Sequence, residues 1–258
     1  MKANRNLALF LPYLICSLEG VCHGVYLLWL TVHKGVSPLT AATLLAAGDL
    51  ALLLFEVPTG LFADRLGARA SLLLGSACQI LGLALFWQTS SLPALALGAL
   101  AIALGDAFRH GADEALLYRS CAAAGDPTSF GRRLAGAHAW SLFALVTLTT
   151  LGGVLAEQVS FDVAWALELA LSFLGLGLAW AMIDLPATAL DPEDEDAAEP
   201  GIRKAIAGLR ARVPWALLVP AVIIGTLATT GEFFTQTESR GRIGPSLVAM
   251  LIASGQLL

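Results

Sequence analysis

The sequence predicts an all-α membrane protein that crosses the bilayer repeatedly. Three observations carry this. Apolar residues make up 57% of the 258, charged residues only 14%, where a soluble domain has about a quarter. The charges cluster between long apolar runs, and those runs recur at the length a bilayer crossing needs, about 20 residues.

Taken in order, the spans are read at 7–30, 40–62, 71–88, 93–118, 134–156, 162–184 and 213–235, with an eighth beginning near Gly244 and still running at Leu258. Lys2 and Arg5 precede the first run as they would in a leader, but the run is too long for one and no small-residue cleavage site closes it. The breaks fall on turn chemistry: Gly35-Val36-Ser37-Pro38, Thr89-Ser90-Ser91 before Pro93, and Gly125-Asp126-Pro127. The expected division is a six-helix bundle over 1–184, a linker over 185–212, and the start of a second bundle over 213–258, whose remainder is expected downstream.

Eleven of the fifteen Lys and Arg share one side: Lys2, Arg5, Arg65, Arg69, Arg119, Arg132, Arg133, Arg203, Lys204, Arg210 and Arg212. The other side holds Lys34, Arg240 and Arg242, and Arg109 falls within the fourth span. The positive-inside rule then puts the N-terminus in the cytoplasm, and the expected location is the cytoplasmic (inner) membrane. In the linker an acidic run, Asp191 to Asp196, precedes Ile202, Ile206 and Leu209 at helical spacing among cations, the pattern of a helix lying on the inner leaflet.

Other classes find little support. No basic stripe with interleaved aromatics offers a nucleic-acid surface. Cys16, Cys22, Cys78 and Cys121 form no CxxC and no Cys/His cluster, so neither a disulfide framework nor a metal site is indicated, and no cofactor is expected. HExxH and GxSxG are absent and the four histidines are scattered, which argues against a membrane enzyme.

Ionisable residues inside spans are costly and mark functional sites by default. The first span has Glu19 and His23 at i, i+4; the second has Asp49 and Glu56, seven apart and on one face; the seventh has Glu232. The fourth is richest, with Asp106, Arg109, His110, Asp113 and Glu114 spaced so that each meets an oppositely charged neighbour along one continuous helix. Such a ladder either satisfies itself or lines a wet cavity that holds a substrate or a proton. Pro58 interrupts the backbone ladder beside Glu56, and either Glu56 or Asp106 is a candidate carrier of a coupling proton. Glu168 stands alone in the sixth span; Asp184 and Glu157 fall at span ends, where the interface wets them.

The second span ends in Glu56-Val57-Pro58-Thr59-Gly60-Leu61-Phe62-Ala63-Asp64-Arg65-Leu66-Gly67-Ala68-Arg69. Gly60 allows close helix approach, Asp64 and Arg65 emerge at the surface, and Gly67 permits a sharp turn into the third span. Gly60-x-x-x-Asp64-Arg65-x-Gly67-x-Arg69 resembles the loop signature between helices two and three of the major facilitator superfamily, with Ala68 where that signature has a basic residue. Glu56-x-Pro58-Thr59-Gly60 and Gly111-Ala112-Asp113-Glu114-Ala115-Leu116-Leu117-Tyr118 are similar to the second and fourth helices of its drug-exporter-like branch. Arg119 stands where related members carry an acid, which leaves Asp113 or Glu114 to pair with the loop instead.

The resemblance implies a twelve-helix secondary transporter working by alternating access, with a small organic molecule as substrate and Asp64 and Arg65 in a cytoplasmic gate; the coupling proton is read from the in-span carboxylates. Its partners would be the lipid bilayer and the C-terminal bundle. The alternative is a non-transporting receptor or assembly factor on the same fold.

Overall fold

The computed structural model describes residues 2–185, and all regular structure among them is helical. Six stretches are long and apolar enough to cross a membrane: Lys2–His23, Pro38–Leu66, Ala68–Gln88, Leu92–Ala123, Pro127–Gln158 and Phe161–Ala181. The chain is therefore an all-α, multi-pass membrane protein. The linker from residue 186 on, the seventh and eighth spans, and Glu232 lie outside the described residues.

The first span is not the single helix that its hydropathy predicts. It comprises α1 (Lys2–Cys16), α2 (Gly20–His23), α3 (Tyr26–Leu28) and a π-turn over Trp29–His33. Between α1 and α2, Glu19 adopts a left-handed conformation (φ 54°), the single positive φ at a non-glycine position among the described residues. The second and third spans are α4 (Pro38–Leu66) and α5 (Ala68–Gln88). Ser37 caps α4 by accepting the Thr40 N–H at 3.1 Å, with Pro38 at the first helical position. Gly67, at φ +92°, makes the turn between the two helices.

The fourth span is also interrupted. Helix α6 (Leu92–Arg109) stops at His110, Gly111 takes φ +78°, and α7 (Ala112–Ala123) continues on a new axis. The spacing argument for a charge ladder from Asp106 to Glu114 assumed one helix and does not survive this break. The fifth and sixth spans are α8 (Phe130–Gln158) and α9 (Phe161–Ala181), the latter capped by Ser160 on the Val163 N–H at 3.3 Å.

Within lipid no hydrophobic effect drives helices together, so close approach through small residues decides the packing. Helices α5 and α6 meet through glycines seven apart on each. A Cβ on Gly82 would stand 2.7 Å from the Gly98 carbonyl, and one on Gly105 would stand 2.8 Å from the Gly75 carbonyl. Two side-chain bonds cross at the same level: Ser71 Oγ donates to the Phe108 carbonyl at 2.7 Å, and Thr59 Oγ1 of α4 lies 2.9 Å from the Ala107 carbonyl. These contacts fix the end of α6, and with it Arg109.

At the end of the bundle near Lys34, Lys34 donates to the Trp87 carbonyl at 2.6 Å and the Trp87 indole donates to Asp162 at 2.8 Å. Tyr26, Trp29, Phe161 and Trp165 pack ring on ring behind them. Helices α4 and α8 leave long apolar faces uncovered, with Leu54 67% and Phe143 64% exposed.

Gly105→Val should force α5 and α6 apart and lower stability in detergent by about 1–3 kcal/mol, the scale of overpacking. Gly177→Ala, where no atom lies within 4 Å of the added Cβ, should leave thermal unfolding unchanged. Equal losses in the two would contradict this packing.

Candidate functional site

The polar centre of the bundle is built on the two interrupted spans. Arg109 is the last residue of α6 and is 8% exposed, the one buried Lys or Arg among the described residues. Its guanidinium donates to the Asp106 carboxylate, three residues earlier, and to Gln79 Oε1 of α5. Gln79 is itself 1% exposed, and its Nε2 reaches the Ser17 carbonyl at 3.4 Å, where α1 has just ended. A buried cation is tolerated only when its donors are all met and a counter-charge is close, and α5 supplies what α6 alone cannot.

The break in the first span faces this centre. Glu19 lies within electrostatic reach of Asp106, Arg109 and Glu168. Glu168 of α9 is 1% exposed and accepts the Cys22 N–H at 2.9 Å. A backbone amide that the interrupted helix leaves open is thereby satisfied by a carboxylate from another span. Thr149 of α8 donates to the Gly20 carbonyl at 3.0 Å, which holds the same turn from the other side.

The remaining candidates divide into two groups. His110, turned outward by the break at Gly111, reaches Glu56 of α4 with Nδ1 3.4 Å from Oε1. Asp113 and Glu114 open α7: the Asp113 carboxylate accepts the Glu114 N–H at 2.8 Å and lies within electrostatic reach of Arg109 and His110. Asp49 is exposed on α4 and feels Asp106. His23 ends α2 and is partly buried. Thus Asp106, Arg109 and Glu19 come together, Glu56 pairs with His110, and the expected contacts of Asp106 with His110, Arg109 with Asp113 and His110 with Glu114 are not among the described ion pairs.

The signature loop lies at the opposite end from Lys34. Asp184, just beyond α9, accepts the Arg69 N–H at 2.9 Å, and a Cβ on Gly67 would stand 2.8 Å from its Oδ2. Gly67 offers α5 no side-chain cap, so Asp184 caps that helix from another span. Arg69 donates to the Trp180 carbonyl at 2.7 Å and Arg5 to the Ala181 carbonyl. Asn6 makes two bonds to the Ile183 backbone, at 2.8 and 3.0 Å. Gly60, Asp64, His110, Gly111 and Arg119 line a cleft of about 200 Å³ beside this lock, with Asp64 and Arg65 exposed at the end of α4.

Sequence reasoning missed three residues of these networks. Glu168 carried a signal, a lone carboxylate in an apolar span. Gln79 carried a weaker one, and Asp184 none, because a span-end aspartate is ordinary until a glycine turn is packed against it.

A family model described as Major Facilitator Superfamily matches residues 9–258. Comparison with curated proteins gives no match.

Replacing Asp184 by alanine should remove the cap on α5, cost about 1 kcal/mol, and speed hydrogen exchange of the amides at residues 69–72. Asp184→Asn keeps an acceptor oxygen and should retain most of the protection. Wild-type exchange in Asp184→Ala would show that the contact holds nothing.

Proposed function

We infer that this chain, which belongs to the major facilitator superfamily and is a membrane transporter, moves a small organic molecule across the cytoplasmic membrane by alternating access. Export coupled to protons is the mode we propose, with the N-terminus in the cytoplasm. Residues 1–184 form one bundle in this reading, 185–212 a cytoplasmic linker, and residues from 213 on belong to a second bundle that completes the transport path.

One observation carries the reading. The buried charged side chains among the described residues, Arg109 and Glu168, both meet an interruption: Arg109 ends α6 at the His110–Gly111 break, and Glu168 accepts the Cys22 N–H beside the break at Ser17–Glu19. Discontinuous helices expose backbone polar groups at mid-membrane depth, and such irregular backbone is sustained where it lines a site. A static anchor would have no reason to bury Arg109 and break two helices beside it. The signature loop, locked to Asp184, leaves Asp64 and Arg65 at the surface, where a gate against a second bundle would engage them.

Lipophilic cargo fits the branch that Glu56-x-Pro58-Thr59-Gly60 resembles, and the long apolar faces of α4 and α8 are consistent with it. The proton role rests on carboxylates held within the spans, where a neutral form is far easier to accommodate than a charged one.

In inverted membrane vesicles carrying the full-length protein, ethidium should accumulate when a pH gradient is imposed and leave when a protonophore collapses it. Asp64→Asn should slow this flux about tenfold, equivalent to ~1.4 kcal/mol. If neither ethidium nor Nile red moves with any gradient, the receptor or assembly-factor reading takes precedence.

A further inference from the structure

Three span ends meet beside the signature loop and bring two arginines to one cavity. Arg5 lies in the first turn of α1, Arg69 in the first turn of α5, and Trp180 in the last turn of α9. Arg5, Arg69, Trp180, Met182, Ile183 and Asp184 line a cavity of about 480 Å³. Both guanidiniums are anchored on consecutive carbonyls at the end of α9, Arg69 on Trp180 at 2.7 Å and Arg5 on Ala181. A guanidinium has five N–H donors, and Arg69 Nε is buried with no hydrogen-bond partner among the described residues. Buried donors are nearly always met, so this pair is short of acceptors.

The charge around the cavity is positive. Asp184 is the one acid in its lining, and that carboxylate is spent on α5, where it accepts the Arg69 N–H and lies against Gly67. The N-terminus of α5 adds a partial positive charge that offsets the negative end of α9. Lys2 stands exposed on α1 one turn before Arg5. An anion is the ligand that these groups lack.

The membrane side of the cavity decides which anion fits. Phe173 and Trp180 lie seven apart on α9, and so on one face, and are 58% and 70% exposed. Gly177 between them has no atom within 4 Å of an added Cβ. Helix α9 thus presents the bilayer with an apolar stripe, notched at Gly177, that runs up to the carbonyls holding the arginines. A tryptophan in the last turn of a span sits at headgroup level. A free anion, or an acidic stretch of peptide, would use the cations and not the stripe. A phospholipid uses both: its phosphate accepts from the guanidiniums, whose fork matches phosphate oxygens, and an acyl chain follows the notch.

We propose that an anionic phospholipid of the leaflet at this end binds here, its phosphate between Arg5 and Arg69 and one acyl chain along Phe173, Gly177 and Trp180. A single headgroup then ties α1 to α5 across the end of α9. Because Arg69 belongs to the signature loop, that loop responds to the lipid around it. The inference needs only a chain embedded in a membrane and stands apart from substrate, direction and coupling ion.

The test uses the full-length protein in phosphatidylcholine nanodiscs doped with phosphatidylglycerol brominated on its acyl chains. The Trp180 fluorescence is the difference between wild type and Trp180→Phe. It should be quenched at a mole fraction about tenfold lower than with brominated phosphatidylcholine, and Arg5→Gln or Arg69→Gln should each erode that preference about fivefold, the worth of one basic residue at an anionic surface. Glutamine keeps an N–H for the α9 carbonyls, and circular dichroism checks that the variants fold. Arg5→Lys, which keeps the charge, should retain the preference, as should Arg132→Gln, exposed on α8. Equal quenching by the two lipids in wild type, or a preference that survives both glutamine variants, would overturn the site. Millimolar inorganic phosphate should leave the quenching unchanged; relief of quenching would reassign the cavity to a free anion. A preference that emerges only when the acids between Asp191 and Glu199 are neutralised would give the cavity to the chain's own linker, against the proposal.

Discussion

The constraint on which the rest depends is a buried cation, Arg109. Arg109 must be satisfied on every donor it brings into the membrane, and no residue on its own helix beyond Asp106 does this. Gln79 is drawn in from α5, which requires α5 and α6 to approach within glycine distance. That approach fixes the depth at which α6 ends, and the helix breaks one residue later, at His110. The break at Gly111 and the glycines of the α5–α6 contact are thus parts of one arrangement.

A second carboxylate does for the first span what Asp106 does for the fourth. Helices cross lipid because their backbone is internally satisfied, and interrupting one is tolerable only where another group meets the exposed amides. Glu168 meets the Cys22 N–H and Thr149 the Gly20 carbonyl. The sixth span and the residues just after it therefore touch both the break in the first span, through Glu168, and the signature loop, through Asp184. A shift of α9 would be felt at each.

Much of this was legible in the residues. The described spans followed from apolar run length, and the turn at Gly67 from a glycine bounded by charges. The Asp106–Arg109 pair followed from a spacing of three on one helix. What was not legible depended on tertiary contact. The Pro12 and Gly20 flanking the first break are weak signals on their own, and nothing local announces a left-handed glutamate set among residues of three other spans. His110 was read toward Glu114 because helical spacing was carried across Gly111; the positive φ there turns the ring toward Glu56 instead. The sequence offered Asp113 or Glu114 of the fourth span as a charge partner for the signature loop; the contact that tertiary packing adds is a different one, Asp184 beyond α9 accepting the Arg69 backbone N–H.

The central claim is that this bundle is a moving half of an alternating-access transporter. Asp49 offers the most direct probe, since it is exposed at mid-span on α4 and within reach of Asp106. The measurement is labelling of Asp49→Cys by a membrane-impermeant maleimide, in the full-length protein with its native cysteines replaced. The account predicts labelling from the cytoplasmic side in one pH condition and from the outer side in another, with the two never high together. Labelling from one side only, whatever the gradient, would contradict it and leave a fixed membrane scaffold.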